Sequence, residues 1–398
     1  MPRIIRILNR LAVGGPVLNA TYLTKYLSPS YETLLVVGEK EDHEQSAAYL
    51  ADNLGIECVT IAGMGRSLNA RADWSAYGQM KALIKSYKPD IVHTHSAKPG
   101  AIGRMAASAA GVPVIVHTFH GHVFHSYFNA FKSKVFIQTE RALARRSHAI
   151  VAISTAQKRE LVEDFKIAPA EKVRIVPLGF DLDRFVKDRE EKRTKFRNEF
   201  GLAENEIAIG IIGRLVPVKN HELFLQGLHH VLSHTSKKIR AFVIGDGETR
   251  GSLEQKAQAL GISFTTEKHH THPHPLVFTS WRSDVDVINA GLDIVALTSV
   301  NEGTPVSLIE AQAANKAIVS TRVGGIADIV EEGQTALLSD VTDSEAFCRH
   351  LLQLVEDDAL RQRLGENSSS FVLQRFSYQR LVSDMDQLYQ QLLNNSKS

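Results

Sequence analysis

Residues 297–325, LTSVNEGTPVSLIEAQAANKAIVSTRVGG, hold the two carboxylates around which the rest of the chain is read. An apolar strand over 293–297 runs into a loop carrying Glu302, a helix over 305–314 carries Glu310, and a second apolar strand covers 317–320. Strand, helix and strand in so short a space build an open α/β sheet, with the loop at a strand's carboxyl end. Pro305 suits the first helical turn, where the amide proton it lacks would be unpaired anyway. The exposed amides of that helix start make a ready anion site. Were residues 302–310 all helical, the two glutamates would lie about 12 Å apart along the axis. One could then hold each end of an extended polar ligand, with a phosphate between them. Spacing alone fits a capped helix with one exposed and one half-buried glutamate equally well.

The same alternation fills both halves of the chain. Strands are predicted at 3–8, 33–37, 56–61, 90–94, 113–118, 149–153 and 173–176, with helical patterns at 17–27, 44–54, 74–87, 99–110, 130–146 and 155–165. Strands apolar on both faces argue for parallel sheet covered by helices on both sides. The pattern breaks at Pro177–Phe185, and the charged run Lys187–Arg197 after it reads as an interdomain linker. A second series runs from 206 to 332, and 344–393 is helical throughout. The expected fold class is α/β: two Rossmann-like, doubly wound parallel-sheet domains, 1–180 and 181–376, facing each other across a ligand-binding cleft.

With 398 residues, 43% hydrophobic and 23% charged, the chain has the composition of a soluble globular protein. Its two cysteines, Cys58 and Cys348, supply neither a disulfide framework nor metal-ligand spacing. A reducing cytoplasm is the expected location. No apolar run approaches the roughly 20 residues of a membrane span. The N-terminus, with its interspersed arginines, reads as a first strand rather than a signal peptide. The net charge of +2 hides an asymmetry, because residues 1–180 hold 22 Lys and Arg against 14 Asp and Glu. Within 98–159, nine basic residues, Lys98 and Arg104 among them, face one acid, Glu140. Such a region suits an anionic membrane or a phosphorylated substrate, and also an ordinary solvated helix face.

Several constellations fall where such a sheet places function. Gly14-Gly15-Pro16 follows the first strand and opens a helix with Asn19 in its first turn; two glycines let a phosphate or acceptor approach the backbone. It is not a GxGxxG fingerprint, and the chain holds no GK[ST] loop, which disfavours nicotinamide-cofactor and nucleoside-triphosphatase readings. His93 and His95 alternate on one strand and share a side of it. In His117-Thr-Phe-His120-Gly-His122 the glycine suggests a turn exposing His120, whose neutral ring suits a bond to a substrate hydroxyl better than a zinc ion. Phe124, Tyr127, Phe128 and Phe131 lead into Lys132 and Lys134, an order that suits a membrane surface and, still better, core packing. Arg214 and Lys219 share one strand-to-helix loop and would set two cations on a diphosphate. Asp246, in Gly245-Asp246-Gly247, reads as structural. His269, His270, His272 and His274 sit in a proline-rich loop where adventitious metal binding is the most expected of them.

Taken together, GGP at 14, the His120-Gly121 turn, GRLxxxK at 213–219, GDG at 245–247 and Glu302-x7-Glu310 resemble the family 4 retaining glycosyltransferases of the GT-B fold. The resemblance covers the whole chain, and residues 297–325 look especially like bacterial members that build cell-surface polysaccharides. It implies that Arg214 and Lys219 bind the donor diphosphate, with the amides of Gly303, Thr304 and Val306 touching sugar or phosphate. Glu310 would accept from the ribose hydroxyls, Glu302 would meet the transferred sugar near its anomeric carbon, and His120 would bond a sugar hydroxyl. Gly14, Gly15 and Asn19 would line the acceptor side. Many members carry histidine where this chain has Asn19, which cannot titrate as a base. A C-terminal helix, 377–398, would cross back onto the first domain.

The resemblance further implies transfer of a hexose-type sugar, with retention, from a nucleotide sugar of the UDP type to a saccharide or lipid-linked acceptor at the inner face of the plasma membrane. Basic residues 98–159 would make peripheral contact there. No divalent metal or other cofactor is expected, and no nucleic acid, since the basic region lacks a binding module. A nucleotide-sugar epimerase of similar architecture would turn over the donor without acceptor; a non-catalytic nucleotide-binding module would bind without turnover.

Overall fold

The computed structural model describes residues 1–11, 15–39, 47–65, 69–120, 130–267 and 274–397. Gly14, His122, Phe124, Tyr127, Phe128, His269, His270 and His272 lie outside them, as do the side chains of Phe131 and Lys132. The chain forms two compact units, one of residues 1–180 with 375–398 and one of residues 181–374.

The first unit holds seven strands: β1 (Arg3–Leu8), β2 (Glu32–Gly38), β3 (Cys58–Ile61), β4 (Ile91–His95), β5 (Val114–Thr118), β6 (Ala149–Ala152) and β7 (Val173–Ile175). Their order in the sheet is β3-β2-β1-β4-β5-β6-β7, with every pair parallel. The chain winds outward from β1 to one edge, then returns to lay β4 on its other side, so the order reverses between β1 and β4. The second unit repeats this plan with β8 (Ile207–Ile212), β9 (Ile239–Ile244), β10 (Phe264–Thr265), β11 (Leu276–Ser280), β12 (Ile294–Leu297), β13 (Ala317–Thr321) and β14 (Ala336–Ser339), in the order β10-β11-β9-β8-β12-β13-β14. Its reversal lies between β8 and β12. Loops after two such strands diverge to opposite faces and leave a crevice at the sheet edge. In this unit those loops begin at Gly213 and at Thr298.

The cores follow from the apolar strands. Ile207, Ile209, Ile211, Val243, Phe278, Ile294 and Val319 are buried together with the helical residues Phe224, Leu228, Phe347 and Leu351. In the first unit, Ile4, Ile91, Val114 and Val151 share a core with Leu381, Met385, Leu388 and Tyr389 of the C-terminal helix, Tyr378–Lys397.

Several readings of the sequence need correction. Lys187–Arg197 is not a linker: Arg189–Glu199 is a helix of the second unit. Its buried Phe196 fits so closely against Gly291 that a β-carbon there would come within 2.2 Å of the ring. Its charges are paired, Arg193 with Asp293 at 2.8 Å and Lys192 with Asp286 at 3.1 Å. The short strands β10 and β14, two and four residues long, escaped a reading that depended on longer apolar runs. β1, β4 and β5 are not purely apolar, since Arg6, His93, Thr94, His95, His117 and Thr118 are all buried. Asn19 is not in a first turn: its helix starts at Gly15, and its side chain is buried with Oδ1 lacking a hydrogen-bond partner among the described residues.

Candidate functional site

The loop after β8 is fixed by the loop after β9. Gly213 N–H donates to Ile244 O (3.0 Å), Leu215 N–H to Asp246 O (3.0 Å) and Thr249 N–H to Leu215 O (3.1 Å). The approach is so close that a β-carbon on Gly245, at φ +137°, would lie 1.9 Å from Gly213 O. Asp246 is structural: its carboxylate accepts from Ser280 Oγ (2.7 Å), its own loop's Gly247 N–H (2.8 Å) and Arg250 (3.1 Å). Burial opposes its ionisation, but these donors outweigh it and hold the carboxyl below the usual range. On this scaffold Arg214 is exposed and forms no ion pair among the described residues.

Lys219 ends the short turn Pro217–Lys219 and points to the other loop. Its Nζ lies 2.5 Å from Glu302 Oε1, which also accepts from Ser299 Oγ at 2.5 Å. Backbone bonds stitch the same loops together: Val300 N–H donates to Val218 O (2.9 Å), and Thr298 Oγ1 to Lys219 O (3.0 Å). Thr321 Oγ1, at the end of β13, donates to Ser299 O (2.6 Å). The glycine pair closing the opening stretch clasps the loop from the other side. Gly325 N–H donates to Gly303 O (3.1 Å), and a β-carbon on Gly324, at φ +52°, would stand 1.7 Å from Glu302 O.

The helix carrying Glu310 is Val306–Ala313, with Pro305 as its cap at φ −72°, ψ 108°. Residues 302–305 are therefore not helical, and the 12 Å span does not apply. Pro305 offers no amide, so the donors near this helix start are those of Gly303, Thr304 and Val306 and of the first turn beyond. The buried Thr304 Oγ1 has no hydrogen-bond partner among the described residues. Glu310 lies one turn further in, about 6 Å along the axis from Val306. Its side chain is 13% exposed and stands 3.6 Å from Arg184, whose guanidinium covers the Phe185 ring at 4.8 Å. Burial pushes the Glu310 carboxyl up to about 7, against the pull of Arg184 and with a further push from Asp286.

In the first unit, His120 follows β5. Its Nε2 is 2.7 Å from His95 Nδ1, and burial brings its pKa down to about 3, so the ring is neutral. His93 and His95 do share one side of β4, their ring centroids 4.3 Å apart. Gly15 begins the helix Gly15–Tyr26. The basic stretch 98–159 is less exposed than its composition suggests. Arg104 is buried in a two-pronged pair with Glu140 (2.8 and 3.0 Å), Lys98 holds Asp73 at 2.5 Å, and Arg141 caps Phe165 O at 2.7 Å. Lys134, Arg145, Arg146 and Arg159 remain exposed. No helix among the described residues is long and apolar enough to cross a membrane.

The structure thus joins Lys219, Glu302 and the Gly303–Val306 segment, and carries Glu310 on the helix that follows. Sequence reading missed Ser299, which lay unmarked inside the opening stretch, and Arg184, which it placed in a linker. It also did not foresee that His95 binds His120, because two separate strands must pair before their rings can meet.

Two family models divide the chain between them. Glycosyltransferase Family 4 matches residues 13–184, and Glycosyl transferases group 1 matches residues 192–371. The UDP-Gal:alpha-D-GlcNAc-diphosphoundecaprenol alpha-1,3-galactosyltransferase of Escherichia coli is 27% identical over 348 residues, covering 87% of this chain and 86% of that one. The capsular polysaccharide biosynthesis glycosyltransferase CapM of Staphylococcus aureus is 24% identical over 345 residues, 86% and 87% of the respective chains. Among solved structures, Anabaena HepE in complex with UDP superposes with a TM-score of 0.82 at 19% identity, over 98% of this chain and 100% of that one. Fold and family models together define a glycosyltransferase of the GT-B architecture. The chain belongs to family 4 of these enzymes, and its Staphylococcus aureus relative is named for capsular polysaccharide biosynthesis.

Proposed function

We propose that the protein transfers a hexose, with retention of configuration, from a UDP-sugar to a saccharide or lipid-linked saccharide in surface polysaccharide synthesis. The observation that carries this reading is the Lys219–Glu302–Ser299 cluster set beside a helix start whose helix also bears the buried Glu310. The names of the Escherichia coli and Staphylococcus aureus relatives support the substrate class. UDP in the HepE complex supports the base.

In this reading the departing diphosphate carries the developing charge. Arg214, Lys219 and the amides of Gly303, Thr304 and Val306 stabilise it as it forms. The diphosphate competes for Lys219, which frees the Glu302 carboxylate to face the sugar near its anomeric carbon. Glu310, ionised, accepts from the ribose hydroxyls, and His120 bonds a substrate hydroxyl. Gly14, Gly15 and Asn19 serve the acceptor. In a front-face displacement the leaving phosphate itself takes the acceptor's proton. Charge stabilisation of this kind calls for no divalent ion. Of the Asp-x-Asp pairs Asp181–Asp183 and Asp284–Asp286, Asp183 is engaged by Lys187, Asp284 by Arg282 and Asp286 by Lys192. The reaction belongs at the cytoplasmic membrane face, with Lys134, Arg145 and Arg146 meeting anionic lipid.

Thermal-shift screening of nucleotide sugars, followed by mass spectrometry of products formed on lipid-linked acceptors, identifies the donor and acceptor. Lys219→Ala should lower transfer by about 100-fold to 1,000-fold, and Glu310→Ala should abolish the thermal shift given by the nucleotide, both with the fold intact. Unchanged activity in both variants would remove the assignment. Donor turnover without acceptor would indicate an epimerase instead.

A further inference from the structure

The buried histidines of the first unit form a column that the transfer reaction, as described, leaves unused below His120. At its base, His93 is pinned at both ring nitrogens: Nδ1 meets Arg6 Nη1 at 2.9 Å and Tyr389 Oη at 2.5 Å, and Nε2 meets Thr118 Oγ1 at 2.7 Å. A guanidinium only donates, so Nδ1 of His93 is bare and its proton sits on Nε2, donating to Thr118. His95 lies over His93 at 4.3 Å and reaches His120 through Nδ1, and the His95 and His120 rings stack at 5.0 Å. The far nitrogens, Nε2 of His95 and Nδ1 of His120, are both buried and have no hydrogen-bond partner among the described residues.

Two neutral rings joined by one hydrogen bond have two arrangements. In the first, His95 Nδ1–H donates to His120 Nε2, leaving a bare lone pair on His95 Nε2 and an N–H at His120 Nδ1. In the second, His120 Nε2–H donates, leaving an unpaired N–H on His95 and a lone pair on His120. An orphaned buried N–H is rarer and costlier than an under-used acceptor. His95 is fully buried, whereas His120 is only partly buried as a residue. With both nitrogens buried, the first arrangement leaves only a lone pair on the deeper ring and puts the spare N–H on the ring nearer the surface.

We propose that His95 is a positioning residue that fixes His120 as its Nδ1–H tautomer, so that His120 presents an N–H donor, not a lone pair, to an oxygen of the substrate saccharide. This rests on the proposed substrate contact of His120, and the test separates the two. Long-range ¹H–¹⁵N spectra of the full-length protein with labelled histidine, assigned with a His120→Gln variant, report the tautomer without any substrate. A proton on Nδ1 of His120 upholds the proposal; a proton on Nε2 overturns it. His95→Asn, whose amide can donate from the place of Nδ1, should keep the tautomer and keep kcat within about 3-fold. His95→Asp, which only accepts, should move the His120 proton to Nε2 and lower kcat/KM on the order of 10-fold or more. An unmoved proton in a folded His95→Asp variant overturns the control by His95. A moved proton with unchanged kinetics upholds that control and overturns the substrate contact of His120.

Discussion

Glu310 sits in an environment unusual for a carboxylate. An ordinary carboxyl near 4.5 is pushed up to about 7 by burial, so the folded protein binds a proton through that interval which the unfolded chain has released. Stability contributed through this group is therefore fully present below about 4.5 and falls as the pH rises to about 7. With the side chain 13% exposed, the whole interval is worth on the order of 3 kcal/mol. Glu310→Gln lacks the ionisation, so its unfolding free energy relative to wild type should climb across that window and then level off. Urea denaturation from pH 4 to 8 measures this, and a constant difference would contradict it. The strain has a function in the proposed reaction, since the ribose hydroxyls would supply the hydrogen bonds that a buried carboxylate lacks. Lys219 and Glu302 show the complementary arrangement, two charges already compensating each other until a diphosphate competes for the lysine.

Among the elements, the loops that hold the site depend on glycines at particular points. Gly324 sits at φ +52° with its α-carbon against Glu302 O, so a methyl group there collides with backbone that has no flexible end to yield. Gly324→Ala should cost at least about 1 kcal/mol of stability. It should lower transfer more than that loss explains, because Glu302 has to move. Gly78 lies exposed inside the helix Ala70–Tyr87 with open space where its β-carbon would go. Gly78→Ala should stabilise by about 0.5–1 kcal/mol and leave transfer unchanged. Denaturation midpoints and transfer rates of the two variants together separate backbone requirement from helix propensity. The helix Arg189–Glu199 makes a related point: its charges read as solvent-exposed linker, yet Phe196 and the Asp293 pairs tie it to the second unit.

At the scale of the molecule, the first unit carries a cost at low pH. His93, His95 and His117 are held well below 6.5 by burial, with nearby charges adding to it, and His120 is brought to about 3. Each is neutral in the fold, while the unfolded chain takes up its proton below about 6.5. Stability is therefore complete above that pH and declines as it falls, by up to about 1.4 kcal/mol per pH unit for each ring. Acid unfolding should begin below about pH 6 in the first unit, with uptake of several protons, as followed by circular dichroism and proton-uptake titration. The C-terminal helix belongs to this network as well as to the core, since Tyr389 Oη meets both His93 and Arg6. Tyr389→Phe keeps the ring and removes that oxygen, and should cost about 1–3 kcal/mol in urea denaturation. A smaller loss would show that Arg6 alone satisfies His93.

The sequence by itself determined the architecture. Strands apolar enough to be covered on both faces alternate with amphipathic helices, and this periodicity is local, so the helix over 130–146 and the strand over 3–8 read correctly residue for residue. It also marked Lys219, Glu302 and Glu310, because glycine turns and carboxylates after buried strands fall where a doubly wound sheet opens. Only the tertiary structure decided what those groups are bonded to. That Lys219 meets Glu302, that Arg104 is spent on Glu140 instead of on a surface, and that His95 answers His120 across two strands are all contacts between segments distant in the chain. Side-chain periodicity places a residue on a face, whereas the partner it meets there depends on which strands pair and in which register, and no local pattern encodes that.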